Sequence, residues 1–378
     1  MERRQLTPKT RKVVIVLLVS IIIILLLLLT SYLLVHSYIN KINLVSSVES
    51  TDLNITAEAE VVSKDLEIEP FEDMDSDLTD SNVPDSPVNE IATVEDDIRN
   101  NLEENSIPII YDKSVFNILL IGSDTRRSGG AGRSDAMILV SINKKTKKII
   151  VTSILRDIYL QIPGKKISNR INAAYAFGGA DLLMETIEQN FRIQMEHYVS
   201  VDFYAFIDIV DAVEGVTLEV SEKEIPVIND YVMELNRLTG QEETKDCLTE
   251  PGTLLLSGKQ ALGYVRNRYV GNSDFERTSR QRRVLEQIFM KVKSSDLSDI
   301  KELLDIILPQ VTTNLSEGEI FSLILSLPSY IDYDIEQWSI PMTGTYSSKR
   351  IRGMEVLGID FDENIAELHG KVYDETIE

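Results

Sequence analysis

The sequence contains very little cysteine and histidine. Cys247 is the only cysteine, so no disulfide can form within the chain, and the folded part must be stabilised by its hydrophobic core. The three histidines, His36, His197 and His369, show no metal-ligand spacing, and we interpret each as structural. The motifs GxSxG and GxxxxGK[ST] are also absent. These absences argue against histidine-based metal sites, serine-hydrolase chemistry and phosphate-loop nucleotide binding.

Positive charge is scarce as well. The chain has 38 Lys and Arg residues against 61 Asp and Glu residues, a formal net charge of -23, which argues against general nucleic-acid binding. Much of the excess lies in residues 49–110, where 19 acidic residues face only Lys64 and Arg99. Because such a segment repels itself and has few aromatic residues, the sequence predicts an extended acidic extracellular stalk over residues 36–110.

One hydrophobic run is long enough to cross a membrane. Residues 13–35 would span about 34 Å as a helix, at about 1.5 Å per residue. The preceding residues are rich in Arg and Lys, whereas only Lys41 follows the run closely. The pattern predicts a cytoplasmic tail over residues 1–12, a transmembrane helix over 13–35 and the rest of the chain outside a cell membrane. A cleaved signal peptide would normally have a shorter apolar region of about 7 to 15 residues.

Short apolar runs alternate with helical patterns after residue 111. Strands are predicted at 116–123, 136–143, 149–155, 197–202, 216–220 and 335–341, and helices at 180–192, 203–213, 257–265, 277–293 and 316–326. The polar residues 144–148 between the second and third strands predict a hairpin. Residues 111–378 are therefore expected to form an α/β domain, an α/β/α sandwich with a central mixed sheet.

Acidic residues lie at the ends of the first strands. Asp124 follows the first strand and Asp135 precedes the second, and antiparallel pairing would bring them to one edge of the sheet together with Arg156 and Asp157. Two carboxylates beside arginines suit Mg²⁺ and a phosphate ligand. In the alternative interpretation, Asp124 caps a turn and Asp135 forms an ordinary surface ion pair with Arg133 or Arg156.

A second basic cluster contains only arginines. Its members are Arg266, Arg268, Arg277, Arg280, Arg282 and Arg283. Arginine favours planar, bidentate recognition of oxyanions. An extended chain after residue 265 would point Arg266 and Arg268 the same way. Helical spacing places Arg277 and Gln281 on the core-facing stripe, with Arg280 on its flank. Arg282, pairing with Glu286, and Arg283 are interpreted as solvated surface residues.

Several ordered motifs resemble the LytR-CpsA-Psr family of Gram-positive envelope proteins. The resemblance covers residues 116–289 and depends on NILLIGSDTR, GRSDAMILVSIN, SILRD, INAAYAFGG, LSGKQALGYVRNRY and DFERTSRQRRVL. It implies a phosphotransferase that moves a glycopolymer, of teichoic acid or capsule type, from a polyprenyl-diphosphate carrier to peptidoglycan. It also implies Mg²⁺ as cofactor and an arginine-lined pyrophosphate site beside a lipid pocket.

The resemblance assigns roles to particular residues. Asp124 and Asp135 match the metal ligands. The residues that match the pyrophosphate site are Arg133, Arg156, Arg266, Arg268, Arg277, Arg280 and Gln281. The catalytic set comprises Asp135, Arg156, Arg268 and Asp274, and the base that activates the acceptor could be Asp135, Asp157 or Asp274. Two residues depart from the family pattern, since Leu155 stands where proline is usual and Glu276 where glycine is usual.

Two other classes of function remain open from the sequence. An envelope lipid pyrophosphatase or phosphatase would use the same metal and arginines, with water as the acceptor. A non-catalytic envelope regulator would bind the polyprenyl phosphate without transfer. A DNA-binding regulator is disfavoured, because a cytoplasmic tail of 12 residues is too short for a recognition domain.

Overall fold

The computed structural model describes residues 43–44, 83–103, 107–123, 132–271, 273–295, 303 and 305–374. The strands are β1 (Asn43–Leu44), β2 (Val115–Ser123), β3 (Ser134–Asn143), β4 (Lys148–Ile154), β5 (Tyr159–Leu160), β6 (Asn169–Arg170), β7 (His197–Val201), β8 (Val216–Val220), β9 (Gly252–Leu256), β10 (Thr312–Thr313), β11 (Asp334–Ile340), β12 (Tyr346–Ile351) and β13 (Met354–Ile359). The helices are α1 (Val88–Glu103), α2 (Ala173–Phe191), α3 (Phe203–Ala212), α4 (Glu224–Leu238), α5 (Gly258–Arg266), α6 (Ser273–Ser294), α7 (Glu317–Tyr330) and α8 (Phe361–Tyr373).

A seven-stranded mixed sheet forms the centre of the fold. Its strand order is β1-β10-β7-β2-β3-β4-β11. β3 pairs antiparallel with both β2 and β4, whereas β2 pairs parallel with β7 and β4 parallel with β11. The turn between β3 and β4 is the predicted hairpin. The central mixed sheet predicted from the sequence is therefore confirmed.

Helices cover both faces of this sheet. Leu119, Met137 and Ile150 contribute to a core that also contains residues of α1, α2 and α8. Residues next to them in the chain point to the opposite face. There Ile138 and Ile149 pack in a cluster that includes Leu285 of α6 and Tyr330 of α7. The arrangement gives the predicted three layers.

A smaller core stands beside the second face of the sheet. It is built by α3, α4, α5 and the two-stranded sheet of β8 and β9. The strand predicted at 216–220 thus forms, but it pairs with β9 outside the central sheet. Helices α3 and α5 approach closely at Gly258, where a Cβ atom would lie 2.4 Å from the carbonyl oxygen of Ile207. The Gly258 N–H also donates to Asp211 Oδ1 at 2.7 Å, which fixes the wall that α3 and α5 form over the sheet.

Helix α1 corrects the predicted extent of the stalk. It lies within residues 36–110, yet Val94 and Ile98 are buried in the main core. Asn101 Nδ2 donates to the carbonyl of Asn190 in α2 at 3.0 Å. Spacing of four residues places Val94 and Ile98 on one helical face, while Asp96 and Glu103 are exposed on the other face. Strand β1 lies in the same range, so the stalk prediction is wrong for both elements.

The predicted membrane segment lies outside the described residues. The same holds for the cytoplasmic tail (1–12), the run at 13–35, His36 and Asp124. Among the residues that are described, no helix combines the length and the hydropathy needed to cross a bilayer.

Candidate functional site: an arginine–aspartate cluster beside an apolar cavity

An apolar cavity of about 290 Å³ lies between the second face of the sheet and helices α3, α5 and α6. Leu120 and Ile138 line it from the sheet, Phe203 and Phe206 from α3, and Ile288 from α6. Five polar residues also line the cavity, and these are Asp135, Asp202, Arg266, Arg277 and Gln281. They come from the starts of β3 and α6, from the residue that caps α3 and from the end of α5. An apolar cavity with charged side chains in its wall fits an amphiphile that has an anionic group.

Arg156 brings the end of β4 to the start of β3. Its Nη1 donates to Asp135 Oδ1 at 3.0 Å, and its Nε lies 3.6 Å from Asp157 Oδ2. The antiparallel pairing of β3 with β4 places these groups at one edge of the sheet. The predicted convergence is therefore confirmed for Asp135, Arg156 and Asp157. The ion pair between Asp135 and Arg156 is mostly buried rather than an ordinary surface pair.

Asp274 stands at the centre of three arginines. Its Oδ1 lies 2.8 Å from Arg277 Nη2 and 3.9 Å from the Nε atoms of Arg156 and Arg268. Arg277 is only 3% exposed, so its charge is shielded little by water. The cluster joins residues from β4, from the turn after α5 and from the first turns of α6.

Two buried polar atoms point to a ligand. Among the described residues, Arg277 Nε and Gln281 Oε1 are buried and have no hydrogen-bond partner. A buried polar atom without a partner costs about 1 to 3 kcal/mol, and more for a charged group. Both residues line the apolar cavity. An anionic ligand with several oxygen atoms can accept from Arg277, and a protonated or hydroxyl oxygen can donate to Gln281. The helical stripe predicted for these two residues is confirmed.

Asp157 and Asp274 form a coupled pair. Burial, together with a hydrogen bond to Asp274, raises the pKa of Asp157 to about 7. Burial alone would also raise the pKa of Asp274. The hydrogen bond from Asp157 and the charges of Arg277 and Arg156 outweigh that effect and lower the pKa of Asp274. At neutral pH the proton of the pair is therefore held mainly by Asp157, and Asp274 is the carboxylate.

Arg266 and Arg268 do not share one direction. Arg266 is the last residue of α5, and its guanidinium carbon lies 4.4 Å from the ring centroid of Phe203 and 4.8 Å from that of Tyr231. These are cation–π contacts. Arg268 instead approaches Asp274. We predicted that an extended chain after residue 265 would point both side chains the same way. This prediction is wrong because α5 continues through Arg266. Arg133 is exposed directly before β3.

Arg280 supports the site rather than lining it. Its Nε donates to Glu224 Oε1 at 2.8 Å, Nη1 to the carbonyl of Asn267 at 2.9 Å and Nη2 to the carbonyl of Val270 at 2.7 Å. The residue is 2% exposed. Because its guanidinium is already engaged on all three nitrogens, the prediction that Arg280 contacts the pyrophosphate is corrected. Its bonds to Asn267 and Val270 hold the turn that carries Arg268.

We expect Arg280→Ala to lower the free energy of unfolding by about 3 to 5 kcal/mol, since Glu224 would keep a buried charge without its partner. Urea unfolding of the purified protein measures this loss. Arg283→Ala is the matched control on the same helix, because its half-exposed side chain should contribute about 0.5 kcal/mol or less. A large loss of lipid binding with unchanged stability in Arg280→Ala would contradict the supporting role.

Two further predictions around α6 change. Arg282 is not a solvated surface residue, because it is half-buried and its Nη1 donates to Ser153 Oγ at 2.7 Å. Glu286, its predicted partner, accepts instead from Gln337. Glu276 does not oppose Arg277, since it lies 3.7 Å from Arg283, which is exposed as predicted. The departure from the family pattern at Glu276 therefore leaves Arg277 facing Asp274.

The sequence interpretation missed Arg170. Its Nη1 lies 3.4 Å from Asp157 Oδ1, and its side chain is buried. The pairing of Tyr159 with Arg170 in the β5–β6 ribbon carries it back toward Asp157. The ribbon strands have two residues each, too short for a periodic pattern to reveal. His197 and His369 have structural contacts as predicted, because His197 contacts Glu319 and stacks on Phe116, and His369 contacts the carbonyl of Phe191.

No ready-made metal cluster occurs among the described residues, where no three His, Cys, Asp or Glu side chains are grouped to hold a metal ion. Asp135 is described and Asp124 is not.

Cys247 is half-buried, and burial raises the pKa of its thiol. A thiol with a raised pKa is a poor nucleophile at neutral pH.

Fold and site together define a class of α/β protein in which buried arginines and aspartates adjoin an apolar cavity at the edge of a mixed sheet. The family model described as LytR_cpsA_psr matches residues 85–367. The chain therefore belongs to the LytR-CpsA-Psr family, and the resemblance drawn from the motifs is confirmed.

Similar proteins include one enzyme and two solved structures of TagT. The polyisoprenyl-teichoic acid–peptidoglycan teichoic acid transferase TagU of Enterococcus faecalis is 35% identical over 224 residues, which cover 58% of this chain and 68% of the relative. TagT bound to LI-WTA is 29% identical with a TM-score of 0.55, covering 73% of this chain and 98% of that one. The family protein YwtF (TagT) with bound octaprenyl pyrophosphate lipid is 28% identical with a TM-score of 0.52, covering 72% and 98%.

Proposed function

We propose that the protein is a membrane-anchored extracellular phosphotransferase that moves a glycopolymer from a polyprenyl-diphosphate carrier to peptidoglycan. The observation that carries this proposal is the pairing of an apolar cavity with buried polar atoms of Arg277 and Gln281 in its wall. A prenyl chain fits the apolar cavity, and a diphosphate offers oxygen atoms to the arginines. Two relatives support the same proposal. The name of TagU states a transfer of teichoic acid to peptidoglycan, and the name of the TagT structure states a bound octaprenyl pyrophosphate lipid.

In this proposal the acceptor hydroxyl attacks the phosphorus next to the sugar. An oxygen–phosphorus bond forms to the acceptor, the bridging bond of the diphosphate breaks, and the lipid leaves as a monophosphate. Negative charge grows on the bridging and leaving oxygens. Arg156, Arg268 and Arg277 would stabilise that charge electrostatically. Arg133, Arg266 and Gln281 are proposed to complete the contacts to the diphosphate and its lipid.

The proton of the acceptor hydroxyl needs a base. Asp274 is proposed for this role because it is the unprotonated carboxylate of the pair near neutral pH and stands among Arg156, Arg268 and Arg277, while its neighbour Asp157 holds a proton beside it. Asp135 is bound by Arg156 at one oxygen and is better suited to a ligand role. Its side chain keeps 22% exposure toward the cavity side of the sheet edge.

Mg²⁺ is proposed as the cofactor, with Asp135 and Asp124 as its protein ligands. Magnesium sites commonly use one or two carboxylates, with the remaining positions filled by phosphate oxygens and water. Asp135 fits this requirement, since it lines the cavity and has a second carboxylate oxygen beside the one that Arg156 contacts. A bound Mg²⁺ would supply Lewis-acid polarisation of the phosphate oxygens.

We expect Asp135→Ala to weaken Mg²⁺ binding about ten-fold or more, because one charged ligand is lost. Titration calorimetry of the full-length protein with MgCl₂ in the presence of polyprenyl phosphate measures this change. Glu222→Ala, at an exposed acidic residue, is the control for general loss of negative charge. An unchanged Mg²⁺ affinity in folded Asp135→Ala would remove Asp135 as a ligand.

The reaction itself is tested with a carrier labelled in the sugar-linked phosphate. We expect the purified protein to join this label to a peptidoglycan fragment and to release polyprenyl monophosphate. Arg268→Ala should reduce the joined product strongly, whereas Arg283→Ala should not. Release of the label as soluble phosphosugar at the same rate without acceptor would establish a hydrolase. Lipid binding without either product would indicate a regulator.

A further inference from the structure

Strand β1 attaches the chain to the sheet before the acidic segment begins. Asn43 pairs with Thr312 and Leu44 with Thr313 in parallel register, and β10 pairs in turn with β7. β1 is thus the edge strand on this side of the sheet. Residue 44 is therefore already part of the domain's central sheet, well before α1 begins along the chain.

The acidic segment also ends on the domain. Asp85 accepts from the N–H groups of Arg352 and Gly353, at 2.9 and 2.8 Å. The Ser86 N–H donates to the carbonyl of Arg350 at 2.8 Å. Residues 45–82 contain 12 acidic residues and one basic residue, Lys64. This segment of strongly negative charge therefore starts at the β1 edge and finishes beside β12 and β13, so its length cannot set the distance between the domain and an anchor that precedes β1.

The chain between the apolar run and β1 is short. Residues 36–42 number seven, and eight Cα–Cα steps of about 3.5 Å reach at most about 28 Å. An anchor at residues 13–35 would hold the β1–β10 edge within that distance of the bilayer. The apolar cavity lies near the same edge, because Val199 and Val201 of β7 line it, as do Ile307 and Val311 just before β10.

We propose that the β1–β10 edge of the sheet faces the lipid bilayer, so that the cavity takes its prenyl chain from the membrane in which the chain is anchored, and that residues 45–82 are an insertion rather than a stalk. This inference rests on the proposed function for the identity of the lipid and on the proposed anchor. The pairing of β1 with β10, on which the inference depends, can be tested without assuming the proposed function or the proposed anchor.

The first experiment locks β1 to β10. Leu44→Cys and Thr313→Cys are combined with Cys247→Ser in the full chain, in membranes, together with a protease site inserted between residues 63 and 64. Neighbouring strands lie about 4.7 to 4.9 Å apart, which suits a disulfide. After oxidation and cleavage, the two fragments should remain joined until reduced. Leu44→Cys with Ser348→Cys, an exposed residue of β12, is the control. Equal joining in both pairs, or in neither, would overturn the proposal.

The second experiment compares one insertion at two positions. A 20-residue Gly/Ser segment is placed between residues 38 and 39 or between residues 63 and 64. The first lengthens the anchor connection from 7 to 27 residues, so wall-linked product should fall about eight-fold if local concentration follows the −3/2 power of length. The second should leave product within two-fold. Equal effects would indicate a stalk, whereas an absence of product in the unmodified protein would reject the proposed function and leave the disulfide result to decide the placement.

Discussion

Arg277→Ala should reduce glycopolymer transfer by about 10²- to 10³-fold, the effect of removing one preorganised donor from a site of developing negative charge. Arg277 lies 2.8 Å from Asp274, is 3% exposed and lines the apolar cavity. No other side chain combines these properties among the residues that the structure describes. Single-turnover transfer, with the protein in excess over the lipid carrier, measures the loss.

Arg277→Lys separates charge from geometry. Lysine keeps the positive charge but lacks the planar fork that can contact Asp274 and a phosphate together, so we expect only a small part of the activity to return. Arg283→Ala is the matched control on the same helix, because Arg283 is half exposed and contacts Tyr264 and Glu276. Unfolding curves must show that Arg277→Ala remains folded. Transfer within a few fold of the unmodified protein, in a folded Arg277→Ala variant, would contradict the assignment.

The spacing of residues within one strand or helix was sufficient to predict part of the site. The hairpin between β3 and β4 predicted that Asp135 and Arg156 converge, because antiparallel strands return the chain to the same edge. Helical spacing predicted that Arg277 and Gln281 point toward the core. Both predictions needed only the geometry of one element or of two consecutive elements, and both are confirmed.

Contacts between distant segments were not predictable in this way. Arg280 meets Glu224, which lies 56 positions away, and Arg282 meets Ser153, which lies 129 positions away. Spacing along α6 says which face a side chain occupies, but not which element packs against that face. Composition misled in the same manner at α1, which lies within the acidic range but buries Val94 and Ile98 in the main core.

The proton of Asp157 should make stability depend on pH. Its pKa is about 7 in the fold, against an ordinary value of 3.8 for an aspartate in the unfolded chain. A raised folded pKa contributes stability that is fully present below about pH 4 and is lost as pH rises to about 7. Urea unfolding between pH 4 and 8 should therefore show a falling free energy of unfolding. The free energy of unfolding of Asp157→Asn should change less between pH 4 and 8, because asparagine does not ionise.

Asp274→Asn is expected to lower transfer by about 10²- to 10⁴-fold, the range that a general base contributes. Asparagine preserves the size of the side chain but removes the negative charge that Arg156, Arg268 and Arg277 surround. The loss should appear in kcat, since the proposed base acts in the chemical step and the arginines proposed to bind the diphosphate remain. Initial rates at saturating carrier measure it. A decrease confined to carrier affinity would instead make Asp274 a group that positions the arginines.

Asp157→Asn distinguishes the two members of the pair through the pH profile. In the unmodified protein, ionisation of Asp157 above about pH 7 puts a second negative charge beside Asp274 and next to the diphosphate. Transfer should therefore decline above neutral pH. Asparagine keeps an N–H donor toward Asp274 and cannot ionise, so Asp157→Asn should retain activity at pH 6 and lose the alkaline decline. If Asp157 were itself the base, the same variant would be inactive at every pH, and that outcome separates the two roles without any assumption about the identity of the glycopolymer.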